Sequence, residues 1–201
     1  MKTERFVRPE HIETAVKIYV EAFQNKFIYL LGDKQSIVRL IQRGMNPGWA
    51  ITAISNEGEL MGLAGFHQDN HCFVDLKISC FWKEFGWFKG TYRALMMKIF
   101  FNRTPKPGQL LMDGIVVAPT FRGMGVGKLL FSELEVIAQE QKLEYIRLDV
   151  IKENTRAKKL YKKLGFQVTG YQLMSPFITK IIGTSGVYNM MKKVKYILKS
   201  P

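Results

Sequence analysis

Val116-Val117-Ala118-Pro119-Thr120-Phe121-Arg122-Gly123-Met124-Gly125-Val126-Gly127-Lys128-Leu129-Leu130 joins an apolar β-like run, Leu110 to Val117, to an amphipathic helical run. A basic, glycine-rich turn therefore sits between a strand and a helix, and turns of this kind bind anions. Glycines at 123, 125 and 127 tolerate positive φ and let the backbone come close to a ligand. The N–H groups of the new helix's first turn point outward at the positive end of its dipole. Arg122 and Lys128 add full charges at the rim. A diphosphate suits this chemistry, because it offers several oxygens to several donors at once.

Two familiar phosphate loops do not fit these letters. A Walker loop needs glycine five positions before Gly127 and a Ser or Thr after Lys128, but Arg122 and Leu129 stand there. The dinucleotide fingerprint needs G-x-G-x-x-G in a first βα unit, whereas the spacing here is G-x-G-x-G and lies past the chain's midpoint. The residues resemble instead the acetyl-CoA loop of the GNAT N-acetyltransferases, whose pattern is Arg/Gln-x-x-Gly-x-Gly/Ala after a strand ending near Val-x-Pro. Arg122, Gly125 and Gly127 fill it, with Val117 and Pro119 in place. A second match lies downstream, where the family pattern Asn-x-x-Ala-x-x-x-Tyr, then Gly-Phe, is met by Asn154, Ala157, Tyr161, Gly165 and Phe166. The likeness is strongest from 110 to 170 and rests on element order elsewhere.

The resemblance implies an α/β fold with a mixed central sheet of six to seven strands, helices on both faces, and two neighbouring parallel strands that splay. Acetyl-CoA would enter as co-substrate, its pantetheine arm lying in the splay against the main chain of Ile115, Val116 and Val117. Its diphosphate would lie on the loop Arg122, Gly123, Met124, Gly125, Val126, Gly127 and Lys128. Asn154 would hold pantetheine amides besides capping its helix, and Lys158 belongs to a basic cluster beside the coenzyme. Tyr161 is the candidate general acid for the departing thiolate, a phenol of ordinary pKa about 10 being able to donate to it. For the general base Asp113 is the most attractive carboxylate, with Asp75, Glu21 and a water chain left open. The expected reaction is direct acetyl transfer to a primary amine of a small molecule or protein. The alternative is a non-catalytic acyl-CoA-binding regulatory domain of the same fold.

The 201 residues are 47% apolar, a size and composition suited to one domain over 1–201 with a full core. The net charge of +13 favours anionic partners: CoA itself, a nucleic-acid or ribosome-associated substrate, or an acidic membrane surface. No zinc motif, helix-turn-helix or aromatic–basic interleaving supports nucleic-acid binding. Basic residues concentrate at Lys152, Arg156, Lys158, Lys159, Lys162 and Lys163, and again at Lys192, Lys193, Lys195 and Lys199. Two cysteines, Cys72 and Cys80, make no disulfide framework, and His67, His71 and Cys72 lack a recognised metal spacing, so no metal is expected. With no leader-like start and no apolar run of membrane-spanning length, the expectation is a cytoplasmic protein, with a homodimer open.

Along the chain the pattern predicts a strand at Phe6–Arg8, helices at His11–Phe23 and Lys34–Arg43, and a hairpin of Trp49–Ser55 with Leu60–His67. Residues 68–106 form a variable insertion with a helix at Thr91–Phe101. Within it Phe81-Trp82-Lys83-Glu84-Phe85-Gly86-Trp87-Phe88 fits core or subunit packing, an acceptor wall, or a membrane-facing patch. Further on, the helix Gly127–Gln141, the strand Tyr145–Ile151, a helix after Asn154 or Thr155 ended by Gly165, and strands Gln167–Met174 and Tyr188–Tyr196 complete the expectation. The segment Ser175–Gly186 is longer than a hairpin turn and would cover the acceptor side.

Overall fold

The computed structural model describes residues 1–101 and 103–196, side chains at 24–26, 100–101, 177 and 181–182 excepted. Lys199, counted with the terminal basic cluster, lies outside them. Among the described residues eight strands form one sheet: β1 (Lys2–Glu4), β2 (Ala50–Ile54), β3 (Leu60–Gln68), β4 (His71–Cys72), β5 (Gln109–Val117), β6 (Tyr145–Ile151), β7 (Gln167–Leu173) and β8 (Gly186–Lys193). Their order is β1-β2-β3-β5-β6-β8-β7, with the short β4 paired to β3 alongside. β5 and β6 run parallel; every other pairing is antiparallel. The helices are α1 (Ile12–Leu31), α2 (Lys34–Gly44), α3 (Ile78–Phe85), α4 (Trp87–Phe101), α5 (Val126–Glu140), α6 (Thr155–Lys163) and α7 (Pro176–Ile182).

Each face of the sheet has its own core. On one, Leu130, Phe131, Leu134, Ile137 and Ala138 of α5 pack on Met61, Ala64, Leu110, Met112, Ile146 and Leu148. These helix positions recur at intervals of three and four, which puts them on a single stripe. On the other face Val16, Tyr19 and Val20 of α1 and Ile37, Leu40 and Ile41 of α2 pack on Ile54, Leu63, Phe73 and Val116. Alternation along the strands supplies both cores at once, so β2 is buried throughout.

Several elements depart from the sequence reading. The first strand is Lys2–Glu4, paired with Ile54–Thr52, rather than Phe6–Arg8. The Phe6 carbonyl instead accepts from Thr52 Oγ1 (2.9 Å), and Val7 N–H donates to Pro47 O (3.0 Å). α1 continues past Phe23 to Leu31, where Gly32 at φ 85° ends it by donating to Ile28 O (2.8 Å). The aromatic-rich stretch is helical, split between α3 and α4 at Gly86 (φ 74°). Ser175–Gly186 contains α7, capped by Ser175 Oγ, and β8 begins at Gly186 and ends at Lys193 rather than spanning Tyr188–Tyr196.

Candidate active site between two parting strands

β5 pairs with β6 only at Gln109, Leu110 and Leu111, opposite Tyr145, Ile146 and Arg147. Beyond Leu111 the parallel strands part. β6 continues beside β8 as far as Ile151, while β5 keeps β3 alone up to Val117. The main-chain groups of β5 that would have met β6 are thus left facing a gap, and Ile115, Val116 and Val117 lie along it. Ile115 and Val117 pack toward the α5 core and Val116 toward the α1 core.

A bulge starts the parting. Gly65 pairs with Gly114 and Phe66 with Met112, so Asp113 is the extra residue on β5. Two successive residues then face α1: Asp113 meets the Tyr19 hydroxyl, and a Cβ at Gly114 would come within 2.4 Å of Phe23 Cζ. Only glycine leaves room there for the Phe23 ring.

At the mouth of the gap stands the glycine loop. Gly125 is the residue before α5 and adopts a left-handed conformation (φ 82°), as does Gly123 (φ 84°). A Cβ on either would meet nothing within 4 Å. Lys128 and Leu129 N–H both donate to Gly125 O (3.0 Å), but the N–H groups of Gly123, Met124, Gly125, Val126 and Gly127 donate to no acceptor among the described residues. No side chain caps α5. Arg122 is exposed and its Nε donates to Val117 O (3.3 Å), tying the loop to the end of β5. Lys128 is exposed on the first turn. This cradle of free donors with open space above it fits a diphosphate.

Across the gap, α6 follows β6. Asn154 caps it, its Oδ1 accepting from Ala157 N–H (3.0 Å). Lys158 lies one turn on, with Nζ 3.1 Å from the centre of the Tyr188 ring. Tyr161 is half-buried and packs edge-on against Phe166 (5.7 Å), which in turn meets Phe131 (5.4 Å). Burial pushes the Tyr161 phenol up to about 12, so it stays protonated at any working pH.

On the α1 face, charges cross-link the two strands where they part. Arg103 Nη2 donates to Asp113 Oδ1 (2.6 Å) and Nη1 lies 3.6 Å from Asp149 Oδ2 on β6. Asp149 Oδ1 also accepts from Asn189 Nδ2 (2.7 Å), with Arg147 Nη2 at 3.5 Å. Burial alone would lower the Arg103 guanidinium's pKa, but Asp113 and Asp149 outweigh it and raise it. His67 Nε2 sits 3.1 Å from Asp113 Oδ2, at an angle that makes no hydrogen bond. The same buried carboxylate helps raise the pKa of Tyr19, after burial itself. His67 and Arg103 also line a cavity of about 680 Å³ walled by Leu76, Phe81, Leu95 and Met97. Of the other carboxylates considered, Asp75 lies on this cavity, whereas Glu21 is a surface residue 3.7 Å from Lys34. Among the described residues no group of three or more His, Cys, Asp or Glu side chains could hold a metal ion.

Sequence reasoning placed neither Arg103 nor His67 near Asp113. Arg103 stands in the breaker run Arg103-Thr104-Pro105-Lys106-Pro107-Gly108 and His67 at the end of a hairpin strand. The one available signal was Asp113-Gly114, a polar pair inside an otherwise apolar strand.

Comparison with known proteins points to acetyltransferases. A relative in Salmonella typhimurium, peptidyl-lysine N-acetyltransferase YjaB, is 37% identical over 59 residues, covering 29% of this chain and 37% of the relative. Thialysine N-epsilon-acetyltransferase of Bos taurus is 34% identical over 68 residues, or 34% of this chain and 40% of that protein. The chain thus aligns with well under half the length of these curated relatives. Among solved structures, a GCN5-related N-acetyltransferase from Kribbella flavida superposes with a TM-score of 0.58 at 17% identity, covering 96% of both chains. Ard1 from Thermoplasma volcanium gives 0.56 at 20%, covering 97% of this chain and 98% of that one. The model of the acetyltransferase (GNAT) family matches residues 12–166, most of the chain, and with the parted strands and the glycine cradle in view we conclude that the protein belongs to that family.

Proposed function

We propose that the protein transfers the acetyl group of acetyl-CoA to a primary amine, in one complex holding both substrates. The observation that carries this reading is the gap between β5 and β6, lined by unpaired main chain and closed at its mouth by five free N–H groups. Ile115, Val116 and Val117 bind the pantetheine arm as a surrogate strand. Arg122, Gly123, Met124, Gly125, Val126, Gly127 and Lys128 take the diphosphate, while Asn154 and Lys158 hold the opposite side. The names of the relatives, which act on peptidyl-lysine and thialysine, favour an acceptor bearing a terminal amine.

In the transfer, the amine nitrogen bonds to the thioester carbon and the carbon–sulfur bond breaks. A main-chain N–H near Val117 stabilises the charge that develops on the carbonyl oxygen. Tyr161 gives its proton to the departing thiolate; burial keeps the phenol neutral and makes it a weaker acid than a free tyrosine, so the transfer depends on a direct hydrogen bond to the sulfur. The proton lost by the amine goes to Asp113, the carboxylate at the parting point.

One observation favours the alternative, an acyl-CoA-binding domain that does not turn over: the Asp113 carboxylate is already engaged by Arg103 at 2.6 Å. Calorimetry with acetyl-CoA followed by thiol release across a panel of amines, lysine peptides included, separates the two. Binding with turnover supports the transferase, and binding without turnover on any amine supports the alternative. No binding at all overturns both.

A further inference from the structure

The α3–α4 hairpin carries an apolar surface that no coenzyme contact uses. Phe88 (84% exposed), Tyr92 (64%), Leu95 (53%) and Ile99 (60%) recur at intervals of four, three and four residues, so they form one stripe along the outer face of α4. Trp87 stands exposed at its start, its ring 5.3 Å from that of Phe88. The inner face is spent on packing. Gly90 lies so close to Phe81 that a Cβ would come within 2.7 Å of its carbonyl oxygen, and Ala94 and Met97 turn to the α1 core.

Charge decides what covers this stripe. Lys89 and Lys98, both exposed, are nine residues and so about two and a half turns apart, which places them on opposite flanks of it. Lys77, Lys83 and Lys106 add to the same segment. Against these lysines, Glu84 is spent between Arg39 and Arg43 at 2.6 Å from each, which leaves Asp69 and Asp75, on the cavity that Leu95 and Lys98 also line, as the acidic side chains on that edge. The surface is therefore an aromatic and aliphatic ridge bordered by more lysines than carboxylates. A second copy laid against it would set lysine against lysine. An acidic bilayer surface matches both features, taking the rings at the headgroup boundary and the ammonium groups at the phosphates.

We propose that the protein docks peripherally on anionic lipid bilayers through the outer face of α4, with Phe88, Tyr92, Leu95 and Ile99 inserted and Lys89 and Lys98 against lipid phosphates. Docking lies in the membrane plane, since no helix among the described residues is long and apolar enough to cross a bilayer. It is distinct from coenzyme binding, as none of these side chains belongs to the coenzyme site, although Leu95 and Lys98 also edge the cavity lined by His67 and Arg103.

The test is co-sedimentation of the full chain with vesicles of phosphatidylcholine alone and of an equal mixture with phosphatidylglycerol. The mixed vesicles should bind, added salt should weaken the binding, and bromine-labelled lipid should quench tryptophan emission in the wild type and much less in Trp87→Phe. Phe88→Glu with Leu95→Glu should abolish the binding. Lys89→Gln with Lys98→Gln should weaken it about tenfold. Because these side chains are exposed, circular dichroism and coenzyme A binding should match the wild type in both variants. The proposal is overturned if the two vesicle types bind equally or not at all. It is also overturned if Phe88→Glu with Leu95→Glu leaves binding intact, since net charge alone would then explain it. A dimer in sedimentation equilibrium that Leu95→Glu dissociates would assign the stripe to a second copy and likewise overturn the proposal.

Discussion

The two faces of the sheet treat polar groups in opposite ways where β5 and β6 part. Toward α5, the loop from Gly123 to Gly127 keeps its N–H groups free and its glycines bare, and no side chain caps the helix. Toward α1, Asp113, Arg103, Asp149 and Asn189 are tied to one another across the same two strands. Free donors at a helix start forgo the stabilisation a cap would add, and they persist where a ligand completes them. Paired charges under a core do the reverse: each answers another, and together they cross-link the strands where they part. The α5 side thus presents unpaired donors, and the α1 side carries a charge network beside the cavity lined by His67 and Arg103.

Substitutions on the two sides should therefore fail differently. Arg103→Ala should cost about 3 kcal/mol of stability, because Asp113 and Asp149 then face each other without their shared cation. Urea unfolding reads this, and an unchanged midpoint would break the distinction between the faces. Tyr161→Phe should lower turnover about a hundredfold while coenzyme affinity stays nearly constant. Steady-state rates with calorimetry check it, and equal turnover would remove Tyr161 as the acid. Gly125→Val should weaken acetyl-CoA binding at least tenfold, about 1.4 kcal/mol, since its side chain would occupy the diphosphate's place and resist φ 82°.

Smaller effects sharpen the contrast. Asn154→Ala removes the cap of α6 and should cost about 1 kcal/mol in thermal or urea unfolding. If it also weakens the coenzyme, Asn154 serves both roles. Glu153, just past β6, accepts from Thr184 Oγ1 and from Ser185 N–H and Oγ. Burial alone would raise its carboxyl, but these donors outweigh it and bring it down to about 2. A depressed carboxylate contributes fully above its unfolded value near 4.5, and that contribution is lost as pH falls toward 2. Glu153→Gln should flatten the stability profile in that window, by under about 1 kcal/mol at an exposed site.

How far the chain could be read in advance follows from which interactions are local. The strand–loop–helix unit at 109–140 and the capped helix after Asn154 are written in neighbouring letters: alternation, glycines at left-handed positions, a cap three residues from its donor. They emerged within a residue or two of expectation. β1 and the length of α1 did not. Lys2–Glu4 becomes a strand only because Thr52–Ile54 lies beside it, and nothing before Gly32 tells α1 to stop. The aromatic run at 81–88 gave no period short enough to reveal its break at Gly86.

Periodicity, glycine placement and the two short motifs already carried the family, the sheet with its helices, and the glycine-rich turn before α5, since each depends on residues a few positions apart. What they could not carry was the meeting of Asp113 with Arg103, His67, Tyr19 and Asp149, or the outward turn of Phe88, Tyr92, Leu95 and Ile99. Those depend on a strand bulge and on how α3 and α4 pack, which bring together or leave bare side chains that are distant along the chain. Local chemistry selects each element; the free energy of burying their faces against one another selects which charges end up as partners.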